Sequence, residues 1–333
     1  MNLTHLLSIS DNRGIFEHCD LDQPRVDHGY CVDDVARAMV LVQRIDDRTP
    51  GIAQVVGVYE QFLEDAQSPD GTITNRCSVD GEWTGTPSTE DHWGRALWAW
   101  GTVISHSHNV DQVSAAQKCF ESSATQRSTY MRSMAFAALG AIEVLRYQPD
   151  NHVALDLLAD AVRVIPAANG DSEDWPWPEP RLTYANAVIP EVMIQAGVYL
   201  GSLSLMKRGL GTLKWLANLS CNRAYLSVTP AHGWSAGQES PGFDQQPIEV
   251  AALVDAAATA FDHTSDEYWR MVIHRGALWF DGFNDAGIPM HDPLTGAGFD
   301  GLKATSRNEN RGAESTISYL SVAQRFNRYV GAG

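Results

Sequence analysis

Apolar residues recur along this chain at spacings of three and four, in runs of 13 to 20 residues, and alternation with period two is confined to short pieces such as "YLSV" at Tyr225. That pattern predicts helices. They fall near 29–47, 51–67, 90–107, 111–123, 127–147, 151–165, 183–200, 202–219, 245–262, 265–282 and 312–328. Two kinds alternate. "DDVARAMVLVQRI", "HWGRALWAWGTVI", "MRSMAFAALGAIEVL", "YANAVIPEVMIQAGVYL", "QQPIEVAALVDAAATAF" and "GAESTISYLSVAQRF" are rich in Ala, Gly and large apolar residues on most faces. Such helices are enclosed on most sides. "GIAQVVGVYEQFLEDAQ" and "SDEYWRMVIHRGALWFDGF" carry one apolar stripe and a polar face, as an outer layer does.

Six enclosed helices alternating with five amphipathic ones predict an all-α fold, an (α/α)6 toroid of two concentric helix rings. A sixth outer position would fall to the N-terminal segment around "THLLSIS". The enclosed helices then run parallel. The loops leading into them are long (68–89, 166–182, 220–244, 283–311) and those leaving them are short, such as "DDRTP" and "HSHN". Long loops gathered on one face are where function concentrates. No low-complexity linker divides the sequence, so one domain over residues 1–333 is expected.

The leading ends of the enclosed helices carry the candidate chemistry. Asp33 and Asp34 head the first and Asp91 heads the second, and Asp33-x-x-Ala36-Arg37-Ala38 is echoed by Asp91-x-x-Gly94-Arg95-Ala96. Each Asp-to-Arg spacing is i,i+4, on one helix face. Ala36 and Gly94 leave room for close helix contact. Glu90, Asp244, Glu249 and Glu314 stand at comparable places. Two readings of these acids remain open. They can serve the helices, as dipole partners, as ion pairs with Arg37 and Arg95, or, at Ser88-x-x-Asp91, as a variant capping box. They can instead converge as the carboxylate pair of glycosidic bond chemistry.

The long loops favour the second reading. In "DSEDWPWPEPRLTYANAVIPE", Trp175 and Trp177 flank Pro176, and Tyr184 and Asn186 follow. Indole rings either fill a core or stack on a ligand, and C–H faces of pyranoses suit them. "GFDQQPIEV" groups Asp244, Gln245, Gln246 and Glu249 around a helix start, with Pro247 in the first turn. "HDPLTGAGFDGLKATSRNENRGAEST" holds His291, Asp300, Asn310 and Glu314 in a Gly-rich segment without helical period. His28, Tyr30 and His92 lie near the acidic helix starts and join the binding set.

Composition narrows the partners. The formal net charge is −17, which repels nucleic acid, anionic membranes and polyanionic substrates and leaves neutral or cationic ligands. Lysine occurs only at 118, 207, 214 and 303; the other basic residues are arginine, a fixed fork for carboxylates and hydroxyls. Five scattered cysteines without CxxC suggest neither a zinc site nor a disulfide framework, and a reduced, cytoplasmic setting is expected. No secretory leader and no apolar span of membrane length is read. HExxH, phosphate-loop and dinucleotide fingerprints do not occur, so neither a metal nor a cofactor is expected.

"GYCVDDVARA", "TEDHWGRALWAWG", "LTYANAVIPE", "FDQQPIE", "DGL" and "NRGAEST" together resemble a bacterial family of helical toroid domains. That family occurs alone, fused behind retaining-type glycosyltransferases, or near mannoside phosphorylases. The resemblance runs from about Asp11 to the C-terminus. More broadly the pattern is similar to (α/α)6 glycoside hydrolases and to the N-acylglucosamine 2-epimerase group. Related motifs show Asn-Gln-Gly-Ala-Glu where this chain has Asn310-Arg311-Gly312-Ala313-Glu314. The resemblance implies a carbohydrate site and a glycosyltransferase as a conceivable partner, but no transferase activity of its own.

The expected function is glycoside hydrolysis of a neutral oligosaccharide. Asp33 or Asp34 would oppose Asp91 or Asp244 as acid and base, Trp175 and Trp177 would stack sugars, and Gln245, Gln246 and Asn310 would bind hydroxyls. The general acid needs a raised pKa, and the Asp33–Asp34 doublet offers a like-charge neighbour. Two alternatives stay open. Sugar epimerisation or isomerisation would use His28, His92 or His291 as proton carriers. A non-catalytic sugar-binding module would assist a glycosyltransferase.

Overall fold

The computed structural model describes residues 1–46, 49–166, 175–221, 223–238 and 242–331. Among these, twelve α-helices form: α1 (Thr4–Ser8), α2 (Val32–Gln43), α3 (Pro50–Ala66), α4 (Asp91–His106), α5 (Val110–Ser123), α6 (Met131–Tyr147), α7 (His152–Arg163), α8 (Val188–Tyr199), α9 (Leu203–Ser220), α10 (Pro247–Thr264), α11 (Glu267–Phe280) and α12 (Ala313–Tyr329). Eleven answer to the predicted ones. The segment "THLLSIS" makes only the five-residue α1. Strands are two residues long and lie in the loops. The long 166–182 and 220–244 loops fall partly outside the described residues.

The chief difference from the helical period is at the leading ends. Helix was expected from residue 29, 127 and 183, and begins at Val32, Met131 and Val188. Strand pairing takes the missing turns of α2 and α8, and a local bond that of α6. Tyr30–Cys31 pairs antiparallel with Arg76–Cys77, which pairs in turn with Trp83–Thr84. Arg181–Leu182 pairs with Trp234–Ser235, and Ala185 is left-handed at φ +46°. Tyr130 is extended, with its N–H on Ser128 Oγ.

The chain divides into two compact bodies. One is Leu6–Val164 with Tyr199–Gly201; the other is Met1–His5, Ile165–Val198 and Ser202–Gly333. In the first, α2 packs on α4 and α4 on α6, and α3, α5 and α7 flank them. The α4–α6 contact is a glycine seam. A methyl at Gly94 would run into the Ser133 carbonyl, one at Gly101 into the Gly140 carbonyl, and one at Gly140 into the Leu97 carbonyl. α6 is buried from Arg132 through Leu145. In the second body, α10 packs on α11 and α12. α8 approaches α9 through Gly197 and Gly209.

The two kinds of helix start differently. The flanking helices are capped by side chains: Thr49 on α3, Asn109 on α5, Asn151 on α7, Ser202 on α9 and Asp266 on α11. Each accepts a hydrogen bond from a first-turn N–H, which satisfies one of the orphan donors there. The enclosed α2, α4, α6, α10 and α12 begin behind Cys31, Glu90, Tyr130, Gln246 and Gly312, and none of these residues makes a side-chain cap. Ser88 accepts from the Glu90 N–H and meets His92, so the expected capping box at Ser88–Asp91 is replaced by a local turn.

Candidate functional site

In the first body, the acids at the heads of α2 and α4 meet across the helix contact. Asp33 Oδ1 accepts from Arg95 Nη1 at 2.5 Å, and its Oδ2 accepts from Asn75 Nδ2 at 3.0 Å. Arg95 Nη2 lies 4.0 Å from Asp91 Oδ2, and Ser133 Oγ donates to Asp91 Oδ1 at 2.8 Å. One guanidinium therefore spans two carboxylates from two helices, with the Phe136 ring 4.4 Å from its carbon. Arg95 is only 6% exposed, so this ion cluster is largely out of water.

The doublet separates, as adjacent helical residues must. Asp34 is buried, accepts from Arg37 Nη2 at 2.6 Å and from the Cys31 thiol at 3.2 Å. Arg37 thus pairs at i,i+3 with Asp34 rather than at i,i+4 with Asp33, whose backbone oxygen it contacts through Nε at 3.2 Å. The like-charge expectation for Asp33 also reverses. Burial opposes its charge, but Arg95 and Arg37, with the Arg95 hydrogen bond, outweigh burial and hold its pKa below the usual aspartate value. These partners favour the ionised form of Asp33.

Beside it, Glu17, Cys31 and Asp34 place ligand-type atoms within 4.8 Å of one another. Their chemistry does not suit a metal. Arg76 already pairs with Glu17 and Arg37 with Asp34. Burial, then Asp34, Asp33 and Glu17, push the Cys31 thiol well above its ordinary pKa, away from the thiolate a metal needs.

The remaining first-body candidates divide. Tyr30 is buried, gives its hydroxyl to Asp11 at 2.7 Å and stacks on Phe16, so it braces the N-terminal segment. His92 is buried with Nε2 3.0 Å from the Ile73 carbonyl. His28 is exposed, 3.6 Å from Asp27 and edge-on to His18. Glu90 is exposed.

In the second body, several expected binding residues turn inward. Trp177 is fully buried and stacks on Trp215, and Trp175, 8% exposed, meets Trp215 and Trp234 edge-on and donates to the Glu179 carbonyl. These rings fill a core, and Trp177 has no face left for a sugar. Gln245 is fully buried. Its amide nitrogen reaches Asp285 at 2.6 Å, and its oxygen accepts from Trp279 Nε1 at 3.0 Å. Its backbone bridges to Leu302 in both directions. Glu249 is buried and accepts from the Ala185 N–H and from Asn186 Nδ2 at 2.8 Å. Gln245, Asn186 and Glu249 thereby pin loops to helix starts. Asp300 does the same for α12, accepting from the Gly312 N–H at 2.8 Å.

Other second-body candidates keep exposed surface. Asp244 and Tyr184 are exposed, and Gln246, Asn310 and Glu314 are half-buried. His291 Nε2 lies 2.9 Å from Asp281 Oδ1, its ring stacks on Tyr319 at 4.4 Å, and its buried Nδ1 has no hydrogen-bond partner. Arg311, where related motifs have Gln, lies with its guanidinium carbon 5.1 Å from the Phe299 ring centroid.

Sequence reasoning missed Asn75 and Ser133, and treated Arg95 only as an ion-pair partner. No sequence signal marked Asn75 or Ser133, because nothing local ties them to Asp33 and Asp91.

No protein-family model matches the sequence, and no curated protein sequence does. Solved structures do match in fold. A sugar epimerase from a ruminal bacterium superposes with a TM-score of 0.73 at 11% identity, over 98% of this chain and 95% of that one. The cellobiose 2-epimerase of Spirochaeta thermophila gives 0.68 at 10% identity, over 97% and 92%. A metagenome-derived endoglucanase of glycoside hydrolase family 9 gives 0.61 at 13% identity, over 94% and 70%. The fold class is all-α, an (α/α)6 toroid, as the alternation of helix types predicts.

Proposed function

We propose that residues 1–333 form one catalytic domain of a carbohydrate-active enzyme that takes a neutral sugar and transfers a proton at a ring-opened carbonyl, as an epimerase or isomerase does. The observation that carries this reading is the pairing of the Asp33 carboxylate with Arg95 and Asn75. A carboxylate held by Arg95, Arg37 and Asn75 is a strong hydroxyl acceptor and a poor general acid. Asp34, buried against Arg37, is no better suited to protonate a leaving oxygen. The Asp33–Arg95–Asp91 cluster thus suits binding and orienting sugar hydroxyls, and His28 and His92 of the same body are the candidate proton carriers. The solved sugar epimerases support the choice, since both match over more than nine-tenths of their own length. The net charge of −17 favours a neutral substrate.

Glycoside hydrolysis is the second reading. It is favoured by two carboxylates from neighbouring helices sharing one arginine, and by the endoglucanase likeness. One experiment separates the two. Cellobiose and D-mannose are incubated with the protein in D2O and followed by NMR. Deuterium entering at C2 with the disaccharide intact supports proton transfer; release of glucose from cellobiose without such exchange supports hydrolysis. Neither change, with sugar binding retained, points to the non-catalytic module.

A further inference from the structure

Enclosed α4 is open to solvent at few places. From its first residue to Ser105, only Asp91, Trp98 and Ser105 are partly exposed, and every residue between them is buried. The spacing is seven, so the three lie on one face, two turns apart. Its neighbour α2 shows the same habit, with Asp33, Arg37 and, just past its end, Arg44 partly exposed. The open faces of two adjacent helices in one body therefore carry two levels of chemistry. The upper level is the Asp33–Arg95–Asp91 cluster. The lower level is Trp98, whose indole lies nearly parallel to Phe136 (6.4 Å between centroids, 11°) and has the Arg44 guanidinium carbon 5.5 Å from its centroid. Arg44 reaches Glu143 at 3.7 Å, and that buried carboxylate also accepts from Ser105 at 2.9 Å. The two levels are about 10 Å apart along α4, from seven residues at the helical rise.

We propose that Trp98 is the aromatic platform of a second sugar position, with Arg44, anchored on Glu143, as the hydroxyl-binding donor beside it. The substrate is then a neutral disaccharide or longer glycan, one unit at the carboxylate level and the next packed on the indole. This rests on the carbohydrate reading above and adds the substrate's length to it. The physical grounds are specific. A half-open indole next to a carboxylate cluster presents an apolar surface to pyranose C–H groups. A guanidinium beside it supplies fixed donors to the hydroxyls. Trp175 and Trp177, the rings the sequence singled out, are spent on packing, whereas Trp98 keeps surface free.

The test is calorimetric binding of cellobiose, β-1,4-mannobiose, D-glucose and D-mannose to the full chain and to Trp98→Ala, Trp98→Phe and Asp33→Asn. Trp98→Ala is expected to weaken disaccharide binding about tenfold, the size of a lost aromatic contact, with monosaccharide binding changed less than about twofold. Trp98→Phe keeps a ring and is expected to recover most of the loss, and it stands in should the alanine variant fail to fold. Disaccharide affinity unchanged in both Trp98 variants but lost in Asp33→Asn overturns the platform and leaves the carbohydrate reading standing. Equal weakening of mono- and disaccharides in the Trp98 variants also overturns it. No binding of any of the four sugars by the unaltered protein overturns both.

Discussion

Arg95 sits with Asp33 on one guanidinium nitrogen, Asp91 near another and the Phe136 ring at 4.4 Å. Removing it leaves Asp33, which keeps only part of its surface in water, without its closest arginine. Arg95→Met is expected to cost about 3–5 kcal/mol, the range for breaking a buried pair from one side, read from urea denaturation. Burial would then act on Asp33 with less opposition, so its pKa should rise, read by NMR titration of the carboxyl carbon. A stability change within about 0.5 kcal/mol of zero would show that the cluster is solvated and unimportant. At this scale the sequence was half legible. The repeated Asp-x-x-small-Arg marked Asp33, Asp91 and both arginines, because helical spacing is a local property. Which arginine takes which acid was not, because Arg95 chooses across a helix contact and Asn75 arrives from a loop 42 residues away.

Between elements, glycine decides how near α4 and α6 lie. Gly140→Ala would push a methyl into the Leu97 carbonyl, and about 1–3 kcal/mol of destabilisation is expected, as for other overpacked contacts. Gly57, in the middle of α3 and exposed, would meet nothing within 4 Å of an added methyl. Gly57→Ala is expected to stabilise by about 0.5–1 kcal/mol through helix propensity. Paired thermal melts check both, and equal effects of the two changes would refute the seam. Helix number and type were readable because a 3.6-residue period needs no partner to be visible. The first turns of α2 and α8 were misplaced because distant segments recruit them, Arg76–Cys77 for Tyr30–Cys31 and Glu249 for Ala185–Asn186, and that of α6 because Tyr130 turns to the nearby Ser128 Oγ. The absence of side-chain caps on the enclosed helices, against their presence on the flanking ones, was likewise invisible until the actual starts were known.

Across the whole molecule, charge sets the response to acid. Glu143 is buried among Arg146, Arg44, His106 and Ser105; burial works against its ionisation, but these partners prevail and its pKa is lowered, as is that of Asp33. A carboxylate with a folded pKa below its unfolded value adds stability that is fully present above the unfolded value and lost as pH falls through the folded one. His106, lowered chiefly by burial, acts in the same direction, since its protonation also penalises the fold. Stability is therefore expected to begin to fall gently below about 6.5, where an ordinary histidine protonates, and to fall steeply below about 4, where ordinary carboxylates do. Glu143→Gln should lower the melting temperature at pH 7 yet flatten this acid limb. An acid limb as steep as that of the unaltered protein would show that Glu143 does not contribute to it.

By itself the sequence determined the fold class, the pairing of enclosed with flanking helices, and the acidic helix starts, because each is written in spacings of a few residues. Only the tertiary structure decided that Asp33 and Asp91 share Arg95, that Asp34 and Gln245 are enclosed, that Trp175 and Trp177 serve packing, and that Trp98 keeps an open side. Burial and pairing are relations between segments far apart in the chain, and no local pattern records them.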